Sequence, residues 1–132
     1  MSGTTTWVAV ALALSAAANG DTQLTPTKLL ATAKSRVGET VTVSGYFSYV
    51  VDTRALWESR SAYLDAKLQR RGSKADYWAK CITIYPRLGN VRQYNGKRVR
   101  ITGEIAVIKS DDIRSFWTCN SVALENATIS QE

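Results

Sequence analysis

The residues best able to do chemistry are aromatic and basic, and they crowd one third of the chain. Trp57, Tyr63, Tyr77, Trp78 and Tyr85 are interleaved with Arg54, Arg60, Lys67, Arg70, Arg71, Lys74 and Lys80. Rings offer stacking surfaces and cations follow phosphates or other anions, so this mixture suits holding an acidic strand. The candidate ligand-binding set is Trp57, Tyr63, Arg70, Arg71, Lys74, Trp78 and Tyr85. The plainer alternative is that the rings cap a hydrophobic core while Lys and Arg keep the segment soluble.

Other chemistries are poorly served. The chain has no histidine, which removes Ser–His and Cys–His nucleophile systems and His-ligated metal sites. No glycine-rich phosphate loop opens a helix, and no serine sits in a G-x-S-x-G elbow. Asp111 and Asp112, with or without Glu104, have the oxygen ligands for a hard cation, but an Asp capping a turn at a solvated tip explains the pair better. Glu58, Asp65 and Asp76 are carboxylates that nothing in the sequence pairs for acid–base work. The triplet Asn126-Ala127-Thr128 matches a glycosylation acceptor and is common by chance. No catalytic residue, cofactor or metal is expected.

Two cysteines, Cys81 and Cys119, complete the inventory. An even count in an exported chain suggests one disulfide, and closing that loop would stabilise the fold by roughly 3–4 kcal/mol on the chain-entropy model.

Export itself is read from residues 1–20. An apolar stretch at 7–14 precedes the small residues 15–18, the layout of a secretory signal peptide, although no Lys or Arg precedes it. The apolar stretch is too short to span a bilayer comfortably, so no transmembrane anchor is expected and the destination is periplasmic or secreted. The remaining 21–132 is one domain. With 17 Lys and Arg against 11 Asp and Glu, the net charge of +6 favours an acidic partner: nucleic acid, an anionic envelope polymer or an acidic protein face.

The elements that must position these residues follow from a repeat. Residues 38–45 (G-E-T-V-T-V-S-G) and 96–103 (G-K-R-V-R-I-T-G) share the pattern G-x-x-V-x-[VI]-[ST]-G and each continues into further alternating residues. Both read as strands that begin at a turn and carry a bulge or sharp bend at Gly45 and Gly103. Alternation puts Val41, Val43, Phe47, Val99, Ile101, Ile105 and Val107 inside, with Tyr46, Arg98 and Arg100 toward solvent. Shorter strands are expected at 55–58 and 81–85, and a fifth within 116–129. In the third and last strands Ile82, Ile84, Val122 and Leu124 face inward, which places both cysteines outside the core where those strands are neighbours.

Helices are expected at 25–38, opening on Thr25-Pro26, and at 61–71, with Leu64 and Leu68 on one face and Gly72 as the stop. The fold class is therefore all-β: a small five-stranded OB-like barrel with a short N-terminal helix and a helical or loop insert before strand three.

The runs V-T-V-S-G-Y-F-S-Y-V-V-D-T-R-A-L-W, I-T-I-Y and N-G-K-R-V-R-I-T-G-E-I resemble those of small exported bacterial proteins with a G-Y-[LF]…A-L-[YW]…N-G-K-x-V-x-[IV]-x-G strand pattern. The resemblance covers about residues 38–103, implies an OB-like fold and implies no activity; the 59–80 insert departs from it. The expected function is a non-enzymatic binding module for an anionic partner. The alternative is a protein contact, as in an inhibitor or immunity protein.

Overall fold

The two repeats pair with each other. In a computed structural model, which describes residues 23–50, 53–69, 80–87 and 89–132, strand β1 (Thr40–Val50) runs antiparallel to β4 (Arg98–Val107). Val43 stands opposite Ile101, Val41 opposite Gly103, and Gly45 opposite Val99. Equivalent positions of the two copies thus face one another across a local twofold centred on Val43 and Ile101, both fully buried.

The remaining strands close this pair into a barrel. β2 (Thr53–Trp57), β3 (Cys81–Pro86) and β5 (Val122–Gln131) complete the order β1-β2-β3-β5-β4, with β4 returning to β1. Every pairing is antiparallel except that of β3 with β5. This is the five-stranded OB-like arrangement expected from the repeats. Among the described residues, closure leaves no long strand edge unpaired.

Close approach explains the two mid-strand glycines. A Cβ on Gly45 would lie 2.5 Å from the Trp57 carbonyl oxygen, just where β1 begins to pair with β2. A Cβ on Gly103 would lie 2.9 Å from the Glu125 carbonyl oxygen, beside the register shift between β4 and β5. The extra residue on β5 is accommodated at Asn126, which takes a φ of 53°, a left-handed conformation that Asn tolerates better than most residues.

Inside the barrel, Val41, Val43, Phe47, Leu56, Ile82, Ile84, Val99, Ile101, Ile105, Val122 and Leu124 form one cluster. Helix α1 (Pro26–Thr32), continued by a 3-10 turn (Ala33–Ser35), adds Leu29 and Ala33 to it. Glu58 ties that helix to the end of β2 by accepting hydrogen bonds from the Thr27 backbone N–H at 2.8 Å and its hydroxyl. One inward position differs from expectation: Val107 is half-buried, and Ile108, beyond the end of β4, is buried instead.

A second apolar cluster lies outside the barrel wall. Helix α2 (Arg60–Gln69) packs across Tyr46, Ala55, Trp57, Cys81 and Cys119. Two expectations fail here. Tyr46 faces away from the core as its parity requires, yet it is buried under α2 rather than solvent-exposed. Leu64 and Leu68 do not form the packing face, since they are 39% and 82% exposed; Ala62 and Ala66 do. The wall supplies the bulk through Tyr46 and Trp57, so the helix can approach closely only on small side chains.

The last expected strand also begins later than its earliest bound. Residues Ile113–Trp117 form a 3-10 turn, and β5 starts at Val122. The expected export segment at 1–20 and the expected stop at Gly72 lie outside the described residues. Among the described residues no helix is long and apolar enough to cross a membrane.

Candidate functional site

Strand alternation turns two polar side chains toward the mouth of the barrel. Tyr49 follows Phe47 by two residues on β1, and Arg54 precedes Leu56 by two on β2, so both share the parity of core residues. The register sets them directly opposite each other beside the β1–β2 turn. A 3-10 turn before β4 (Arg92–Tyr94) brings Arg92 to the same ring. The guanidinium carbons of Arg54 and Arg92 lie 5.2 and 5.5 Å from the Tyr49 ring centroid, within cation–π range. Asn95 anchors the strand beneath them, its Oδ1 accepting the Tyr49 backbone N–H at 2.8 Å.

The charge at this mouth is uncompensated among the described residues. Their four ion pairs involve Arg36, Arg98 and Arg114, not Arg54 or Arg92. Arg54 Nε is buried without a hydrogen-bond acceptor, an arrangement that costs stability unless a ligand supplies one. A hydrogen bond from Arg92 and the field of both guanidiniums outweigh desolvation and hold the Tyr49 phenol below its ordinary value. Two planar forks with free N–H groups are suited to a carboxylate or phosphate.

Tyr85 sits in a contrasting setting. Arg114 lies over its ring at 5.1 Å, but that guanidinium is already engaged. Its NH2 donates to Asp112 at 2.9 Å and its NH1 to Glu125 at 3.1 Å. Asp112 also accepts the Arg114 backbone N–H at 2.9 Å, capping the 3-10 turn. This is the turn-capping role considered for the Asp111–Asp112 pair. Burial raises the Tyr85 phenol, whose oxygen lacks a hydrogen-bond partner, while Arg114 partly opposes the shift.

The other sequence-derived ligand residues separate into two groups. Trp57 is only 7% exposed and donates its indole N–H to Ser48 Oγ at 2.8 Å, so its ring packs under α2 instead of offering a stacking surface. Tyr63 is half-buried beside it, edge-on to Trp57 at 5.6 Å and tilted against Tyr46 at 5.5 Å, with the Lys67 ammonium over its ring. Arg70, Arg71, Lys74 and Trp78 lie outside the described residues. The structure therefore does not gather the described members of the set into one surface.

The two cysteines lie near each other but not at the distance of the expected disulfide. Their sulfurs hydrogen-bond to each other, and burial pushes the Cys81 thiol strongly upward. Cys119 was expected on the last strand but lies in the connection before β5, so strand parity does not place it; its backbone N–H, donating to Thr83 Oγ1 at 2.8 Å, holds that connection against β3. Among the described residues no three Cys, Asp or Glu side chains gather as a metal site. Glu58 is likewise a structural group: burial raises its carboxyl, but the Thr27 hydrogen bonds outweigh that and hold it below the ordinary range.

Tyr49 and Arg92 were missing from the sequence-derived set, and Arg54 was only part of the wider basic cluster. An arginine at inward parity beside a core leucine was the available signal for Arg54. Arg92 had none, since only the turn before β4 brings it there. No protein-family model matches the chain, and neither a curated protein nor a solved structure is significantly similar to it.

Proposed function

We propose that this chain is an exported, non-enzymatic binding module that holds an anionic group of its partner at the Tyr49–Arg54–Arg92 mouth. The observation that carries the reading is the convergence of two guanidiniums, unpaired with carboxylate among the described residues, on one phenol. Net charge +6 would draw a nucleic acid or acidic envelope polymer toward it. A non-enzymatic role is favoured because histidine is absent and Glu58, Asp112 and Glu125 are engaged in structural contacts. Export rests on the apolar start and the resemblance to small exported proteins, and an oxidising compartment would suit a Cys81–Cys119 disulfide. The mature chain from its native host should begin between Asn19 and Thr22; an intact Met1 in cytosol refutes export.

The binding test is retention of the full chain on an immobilised phosphate polymer across a salt gradient. Arg54→Gln/Arg92→Gln should elute earlier, with the slope of log affinity on log salt reduced by about 1.5. Lys34→Gln/Lys109→Gln removes the same charge from exposed positions and should elute later than the arginine pair. Equal elution of the two double variants refutes the site.

A second reading, a protein contact of inhibitor or immunity type, has exposed Leu64 and Leu68 in its favour. One protein held through high salt and lost on Leu68→Asp would support it over the polyanion.

A further inference from the structure

Granting the anion-binding mouth proposed above, on which this rests, we infer that the anion seated there is a terminal phosphate monoester: the doubly charged end of a chain, not a link within one.

Depth is the first reason. Arg92 is exposed at the rim, whereas Arg54 is half-buried and its Nε is buried without an acceptor among the described residues. An oxygen that satisfies that N–H must pass below the rim. A terminal phosphate projects three oxygens on a single stem and can do so. An internal diester carries a substituent on each side, and both would meet the barrel wall before an oxygen reached Arg54.

Charge and spacing point the same way. The guanidinium carbons of Arg54 and Arg92 lie 5.2 and 5.5 Å from one ring centroid, and both groups hydrogen-bond the phenol of that ring. Cations gathered in this way suit one group with several oxygens, whereas a backbone read along its length needs them spread along a groove. Neither guanidinium has a carboxylate partner among the described residues. A single negative charge would therefore leave the mouth positive, and a dianion would balance it. No free ring beside the mouth offers to stack a base among the described residues. Both cations already lie against Tyr49, Trp57 is buried, and Tyr94 packs on the core. Net charge +6 attracts the length of an acidic chain, and the mouth takes its end.

The test is a nuclear magnetic resonance titration of the full chain at fixed ionic strength. The probes are methyl phosphate, dianionic at about pH 7.5 because its second pKa is about 6, and the monoanionic dimethyl phosphate. Methyl phosphate should shift the Arg54 Nε–H resonance and bind at least about tenfold tighter than dimethyl phosphate. That comparison is made on the parent chain, so no variant has to fold for it. Arg54→Lys keeps the charge but removes the Nε–H, and should cut the preference to about twofold; an undiminished preference overturns the argument from depth. Equal affinity for the two esters, with shifts at the mouth, overturns the terminal group and leaves the anion-binding reading intact. No shift at Tyr49, Arg54 or Arg92 with either ester overturns both. A hexose phosphate and a 5′-phosphorylated dinucleotide then distinguish a sugar phosphate from a nucleic-acid end, the tighter ligand naming the carrier. If both bind more than about tenfold weaker than methyl phosphate, the mouth admits no chain end and the inference falls.

Discussion

Two tyrosines on this barrel each lie under arginine, and they are chemically opposite. Tyr49 has two guanidiniums and no carboxylate partner for either among the described residues; Tyr85 has one guanidinium held by Asp112 and Glu125. The first environment lowers its phenol and the second raises it. Burial is the main cause of the rise at Tyr85, and the hydrogen bond from Arg92 the main cause of the fall at Tyr49; local charge balance adds to the contrast. Arg114 spends its donors on the turn before β5 and on β5 itself, so that cluster holds the fold together. Arg54 and Arg92 keep donors in reserve, and reserve donors are what a ligand needs.

The comparison breaks most visibly in binding. Arg54→Gln/Arg92→Gln should weaken affinity for a phosphate polymer on the order of a hundredfold, the worth of two charge-assisted contacts. Thermal unfolding should be little changed, because no described ion pair is lost; a large loss of stability would make the pair structural. A smaller effect is expected from Asn95→Asp. It keeps the acceptor for the Tyr49 N–H but adds a negative charge beside the mouth, imitating the Tyr85 cluster. Affinity should fall about fivefold by isothermal titration, and unchanged affinity would place the anion elsewhere.

Arg114→Gln probes the other side. Its pairs are partly exposed, so their combined worth is only about 1 kcal/mol, lowering the unfolding midpoint by about 4 °C. Affinity for the polymer should stay that of the parent; a parallel loss of affinity would unite the two clusters as one site.

The smallest effect is in alkaline titration. The folded Tyr49 phenol ionises below its unfolded value, so its contribution to stability grows as pH rises from the folded pKa toward 10.0 and is absent below. The folded Tyr85 phenol ionises above 10.0, so its contribution is full below that value and is lost as pH rises through the folded pKa. Phenolate absorbance of Tyr49→Phe should lack the earliest step, and that of Tyr85→Phe a late one. The reverse order would contradict both the Arg92 contact at Tyr49 and the burial of Tyr85.

Much of the barrel was legible because strand alternation is local. The repeat glycines marked both close approaches, and Val43, Phe47, Ile101 and Ile105 were placed inside by parity alone. The candidate site was legible only in part. Trp57 and Tyr63 signalled an aromatic region, but their rings pack under α2. The choice of Leu64 and Leu68 as the helix's packing face failed because periodicity ranks side chains by size, whereas the space left by Tyr46 and Trp57 admits only Ala62 and Ala66.

By itself, the sequence determined the five strands, most of their inward faces and the absence of histidine chemistry. Each of these follows from side-chain identity or from a period of two along one strand. The tertiary structure decided which charges remain without partners. Arg92 reaches Tyr49 only through the turn before β4, and Arg114 is neutralised only because β5 brings Glu125 to it. Pairing between charges depends on distances of a few ångströms across strands far apart in the chain, and no local pattern encodes those distances.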